Sequence, residues 1–77
     1  MEKMNSLKVG GKGKVVKISG DDSLRRRLLD MGLTPGARVE VIKVAPLGDP
    51  MEIKVRGYHL SLRKEEASGV SVEVDND

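Results

Sequence analysis

The period of hydrophobic positions changes several times along the chain, and each change marks an element boundary. Residues 14–19 (KVVKIS) form a β-branched run behind the glycine-punctuated stretch 7–13 (LKVGGKG), which predicts a turn entering a first strand. Gly20-Asp21-Asp22 ends that strand. At about 100° per residue, Leu24, Leu28 and Met31 fall in one narrow stripe, so a short helix is expected from near Ser23. Asp21 or Asp22 can cap it, with negative charge at the favourable end of the helix dipole. Gly32 is placed to take the left-handed conformation after the last turn, with Leu33 packing back on Leu28. Thr34-Pro35-Gly36-Ala37 then fits a type II turn that launches the next strand.

In residues 37–44 (ARVEVIKV) the alternation slips between Val41 and Ile42, which predicts a β-bulge there. After the loop 45–50 (APLGDP), Met51, Ile53 and Val55 face one way and Glu52, Lys54 and Arg56 the other. A type II′ turn at Gly57-Tyr58 is expected to pair Arg56 with His59, Val55 with Leu60, Ile53 with Leu62 and Glu52 with Arg63. The bulge should also set Val41 and Ile42 together against Ile53 and restore Val39 opposite Val55. Residues 65–69 predict a short helical turn, and Val70, Val72 and Val74 a last strand, with residues 75–77 as a frayed tail. About five strands with one short α-helix after the first describe a mainly β chain: a small, partly open antiparallel barrel of the SH3-like kind. Residues 1–77 read as one domain with a core from about 7 to 74, with no repeat or linker.

Size sharpens this picture. A chain of 77 residues can bury only roughly 60% of its unfolded surface, enough for one small core. With no cysteine and one histidine, neither disulfides nor thiolate ligands reinforce it. Hydrophobic residues at 38% and charged residues at 34% fit a folded chain. No apolar run is long enough to span a bilayer, and the opening MEKMNSLKVGG lacks the apolar core of a signal peptide, so a cytoplasmic location is expected. The net charge of +2 conceals an uneven distribution: residues 1–27 carry eight Lys or Arg against three Asp or Glu, and residues 28–77 carry six against nine.

Candidate chemistry is sparse. His59 and Ser61 share a strand face but lack a third member to activate a nucleophile, so no catalytic residue is assigned and no enzyme is expected. A transition-metal ion calls for clustered imidazole and carboxylate ligands; His59 has no HxxE or ExxH neighbour, and the adjacent Glu65 and Glu66 diverge on a helical turn. No metal site or cofactor is therefore assigned. Arg25 to Arg27 and five N-terminal lysines can contact phosphates, yet Tyr58 is the one aromatic available for base stacking, so nucleic acid is not the expected partner.

The ordered set MGLTPG, APLGDPMEIKVRG and LSLRKEEA resembles the FeoA family of small accessory proteins of bacterial ferrous iron uptake, over about residues 7–74. The resemblance implies an SH3-like barrel without catalytic residues that acts beside FeoB, an inner-membrane iron transporter with a cytoplasmic G domain. It also implies contact with the membrane only through that partner. Similar barrels end iron-dependent repressors, and a regulatory or nucleic-acid-binding domain of that type is the alternative; these 77 residues hold no DNA-binding helical domain of the kind expected before one, which makes it the less expected reading. Five residues stand out as candidates for partner binding: Arg25 and Arg26, Leu29 lying between arginines on the helix, Leu47 at a Pro-flanked loop tip, and Tyr58 in the hairpin turn. Each has a plainer reading. Leu29 can join a wide buried stripe, Leu47 can fold over the barrel end, and Tyr58 can cover a turn.

Overall fold

The computed structural model describes residues 1–75. Six antiparallel strands form one sheet in the order β1-β6-β2-β3-β4-β5: β1 Glu2–Lys3, β2 Lys12–Ile18, β3 Arg38–Val44, β4 Met51–Val55, β5 Tyr58–Leu62 and β6 Val70–Val74. Helix α1, Asp22–Asp30, links β2 to β3, and the four-residue α2, Lys64–Ala67, links β5 to β6. The sheet curls around Val15, Val39, Val41, Ile53, Val55, Leu62, Val70 and Val72, all buried, while Leu28 and Leu33 pack in from α1 and its exit turn.

The strand count exceeds the expected five because Glu2–Lys3 pairs with Ser71 and Val72 of β6. A 3₁₀ turn over Met4–Ser6 follows, and it buries Met4 completely. The packed core thus begins at Met4 rather than near Leu7. At the other end, Asp75 is not frayed: its N–H donates to the Lys12 carbonyl at 2.9 Å and its carboxylate pairs with Arg38 at 2.8 Å. Residues 76 and 77 lie outside the described residues.

Two bulges bend the sheet. One falls between Val41 and Lys43, leaving Val39 opposite Val55 and Val41 opposite Ile53, as the broken alternation of β3 predicts. The other falls between Val15 and Lys17, turning Val16 outward and returning Ile18 to the core.

The β4–β5 hairpin differs from expectation. Its turn residues are Arg56 and Gly57, with φ of 50° and 85°, a type I′ turn whose twist suits two right-twisted strands. Val55 pairs with Tyr58, Lys54 with His59, Ile53 with Leu60, Glu52 with Ser61 and Met51 with Leu62. The expected pairs Arg56–His59, Val55–Leu60, Ile53–Leu62 and Glu52–Arg63 do not form. A shift of two positions leaves every side chain on its expected face, because the strand period is two, so hydrophobic alternation cannot distinguish the registers. The added contacts of Arg56 and Tyr58 with the end of α1 favour the one observed.

Candidate functional site

Helix α1 is held at both ends. Asp21 Oδ1 accepts the Leu24 N–H at 2.8 Å, and Asp22 places a further negative charge in the first turn. At the C-terminus, the N–H groups of Gly32 and Leu33 donate to the carbonyls of Leu29 and Leu28 at 3.0 and 3.1 Å, the paired bonds of a Schellman motif. Gly32 has φ 96°. Ala37 N–H closes the following turn on Thr34 O at 2.9 Å.

Two residues of the hairpin grip this helix end. Tyr58 donates its hydroxyl to the Met31 carbonyl, Arg56 Nε donates to the Gly32 carbonyl at 3.2 Å, and Arg56 Nη2 donates to Thr34 Oγ1 at 2.5 Å. Tyr58 therefore has a structural task while remaining 44% exposed. Arg56, outside the sequence-derived candidates, does as much for this junction. Its sign in the sequence is slight: a long donor one position before a turn glycine.

The remaining candidates are displayed in different ways. Arg25 and Arg26 are exposed and make no ion pair among the described residues, whereas Arg27 pairs with Glu66 of α2. Leu29 is half-buried: it packs against the core alongside Leu24 and Met31, as a wide stripe would place it, and keeps part of its surface in solvent. Leu47 is 97% exposed. It rides on a turn closed by Gly48 N–H to Ala45 O at 2.7 Å, and the loop base is closed by Ala45 N–H to Pro50 O at 3.0 Å. It does not fold over the barrel end.

These residues do not form one continuous patch. On a 3.6-residue helix, Arg27 and Leu29 point about 160° apart, so α2 lies on one flank of α1 and Leu29 on the other. The loop carrying Leu47 sits on the α2 flank, where Asp49 Oδ1 accepts the Lys64 N–H at 3.0 Å. Between this loop, α1, α2 and the end of β5 runs a cleft of about 390 Å³ lined by Arg27, Asp49, Pro50, Arg63 and Glu66.

His59 Nδ1 lies 3.1 Å from Glu52 Oε2, an exposed pair with no third member among the described residues. Among the described residues, no group of three His, Cys, Asp or Glu side chains is arranged to hold a metal ion. No helix among them is long and apolar enough to cross a membrane.

Compared with known proteins, residues 2–74 match the FeoA domain, nearly the whole chain. The chain belongs to the FeoA family. It is 33% identical over 72 residues to a Porphyromonas gingivalis protein, a fusion of Fe(2+) transport protein A with the Fe(2+) transporter FeoB. That match covers 94% of this chain and 8% of the fusion protein's length. The FeoA-like protein of Clostridium acetobutylicum superposes with a TM-score of 0.89 at 39% identity, over 100% of this chain and 93% of that one. The zinc-complexed FeoA of Stenotrophomonas maltophilia, a prokaryotic SH3 domain protein, superposes with a TM-score of 0.82 at 25% identity, over 95% of this chain and 91% of that one. The sheet and helices described above are thus the SH3-like fold of a family that serves ferrous iron transport, not a known enzyme family.

Proposed function

We propose that this FeoA-family chain is a non-enzymatic, cytoplasmic accessory protein that docks on the cytoplasmic face or G domain of a FeoB-type iron transporter. There it biases the transporter's conformational or nucleotide state. The observation that carries this reading is the Porphyromonas fusion, in which a region similar to nearly all of this chain is covalently joined to FeoB. Such tethering raises the effective concentration of one unit at the other, which is useful where the two meet. Docking through Arg25, Arg26, Leu29, Leu47 and Tyr58 is supported by an almost fully exposed leucine and by two exposed arginines with no ion-pair partner among the described residues. Because these residues occupy both flanks of α1, the partner straddles the helix. Membrane association then occurs through the partner alone.

The test is an NMR titration of the ¹⁵N-labelled protein with the transporter's cytoplasmic domain, with and without guanine nucleotide, and with duplex DNA at two salt concentrations for comparison. Shifts at α1, the Leu47 loop and Tyr58 on adding the transporter domain, changing with nucleotide, are the expected result. Shifts produced by DNA alone, weakening steeply with salt, would replace it with a nucleic-acid-binding role.

A further inference from the structure

We propose that the outer edge of β5, continued by the cleft at Arg63, binds an extended segment of a partner chain that carries a carboxylate. The pair flanking a two-residue hairpin turn is hydrogen-bonded, and hydrogen-bonded and non-hydrogen-bonded pairs alternate from there. With Val55 opposite Tyr58, the backbone groups of Tyr58, Leu60 and Leu62 face β4, and those of His59 and Ser61 face away. The sheet ends at β5, and among the described residues no backbone hydrogen bond reaches His59 or Ser61 from outside the ladder. Such an edge is a template for another strand, and folds commonly blunt it with lysine, proline or a bulge. The sequence of β5, YHLSL, contains no Lys, Arg, Asp, Glu or Pro in a chain that is 34% charged, and its register is unbroken. The opposite edge, β1, is only two residues long.

Charge in the cleft selects the occupant. Both of its carboxylates are engaged within the fold: Asp49 accepts the Lys64 N–H, while Glu66 accepts the Arg63 N–H at 2.8 Å and the Arg27 guanidinium. The exposed Arg63 side chain lines the cleft and has no ion-pair partner among the described residues. The edge thus offers backbone donors and acceptors leading to an uncommitted guanidinium, which matches an extended chain with Asp or Glu where it passes Arg63. A second copy of this chain meets the charge requirement less well. Antiparallel pairing centred on Leu60 sets Arg63 against Gly57 of the other copy, with no carboxylate for it. This inference stands apart from the transporter reading, because it holds whichever protein carries the segment.

The probe is the acetylated, amidated peptide Asp-Asp-Val-Thr-Val-Thr-Val, whose acids fall at Arg63 when it lies antiparallel to β5. Titrated into the ¹⁵N-labelled protein, it should shift the His59, Ser61 and Arg63 amides and slow amide exchange at His59 and Ser61 about tenfold or more at saturation. Replacing its two acids by lysine should weaken binding about two- to fivefold, and Arg63→Gln should remove that preference. N-methylation of the alternate peptide amides that face β5 should abolish binding, while methylation of the other set should not; this arm needs no change in the protein. Absence of binding, shifts away from β5, equal affinity for the acidic and lysine peptides, or self-association of the free protein that protects the same amides would each overturn the proposal.

Discussion

The hydroxyl of Tyr58 donates to the carbonyl of Met31, the C-cap residue of α1, joining the start of β5 to a helix end 27 residues earlier in the chain. One hydrogen bond thereby ties the hairpin to the helix. Tyr58→Phe keeps the ring and removes only the donor. It should cost about 0.5–1 kcal/mol in urea unfolding, the low side of a hydrogen-bond deletion because water can reach the freed carbonyl.

Gly32 lies beneath that contact. At φ 96°, a Cβ there would also stand 2.7 Å from the tyrosine hydroxyl. Gly32→Ala is expected to destabilise by roughly 1–3 kcal/mol through backbone strain and this clash. In a Tyr58→Phe background the penalty should shrink without vanishing, since the strain remains when the oxygen is gone; a double-mutant cycle measures the difference.

Met4 tests whether the N-terminal segment belongs to the core. Its side chain is wholly buried, so Met4→Ala should lose about 2–5 kcal/mol, a large share of the stability of so small a protein. Thermal unfolding followed by circular dichroism would show it as a marked fall in Tm. An unchanged Tm would mean that this segment does not pack as described.

The Arg27–Glu66 junction should respond asymmetrically. Arg27 is well exposed and its ion pair is worth at most about 1 kcal/mol, so Arg27→Ala should be nearly silent. Glu66 also accepts the Arg63 N–H at the start of α2. Glu66→Ala is therefore expected to be the more destabilising of the two, by up to about 2 kcal/mol, in parallel urea titrations.

Leu47 and Leu29 separate binding from folding. Leu47→Glu alters a side chain already in water and should leave stability within about 0.5 kcal/mol, while weakening association with the transporter's cytoplasmic domain. Leu29→Glu places a charge against the core and should destabilise by roughly 1–3 kcal/mol, making binding loss in that variant a poor guide to contact. Isothermal titration of Leu47→Glu beside an Arg25→Glu, Arg26→Glu double variant is the cleaner comparison; wild-type affinity in both would exclude this surface.

Local chemistry was the legible part of this chain. The Schellman end at Gly32 and Leu33, the turn at Pro35 and Gly36, the bulge after Val41 and the inward faces of β4 and β5 follow from dihedral preference and from periods of 3.6 and 2, which neighbouring residues determine. The family signal in MGLTPG and APLGDPMEIKVRG rests largely on these same turn and core positions. Tertiary structure decided what local pattern leaves degenerate. Hairpin registers two apart bury the same side chains, so the long-range grip of Arg56 and Tyr58 on α1 favours one of them. Met4 has no periodic neighbours, and its burial depends on β6 accepting a further strand some 70 residues away in sequence. The sequence brought Leu29 and Leu47 under one heading as apolar residues with no evident place in the core. Packing separates them: Leu29 is half-buried against the core, because the angle around a helix acquires an inside and an outside only once its neighbours are in place, while the turn after β3 holds Leu47 out in solvent.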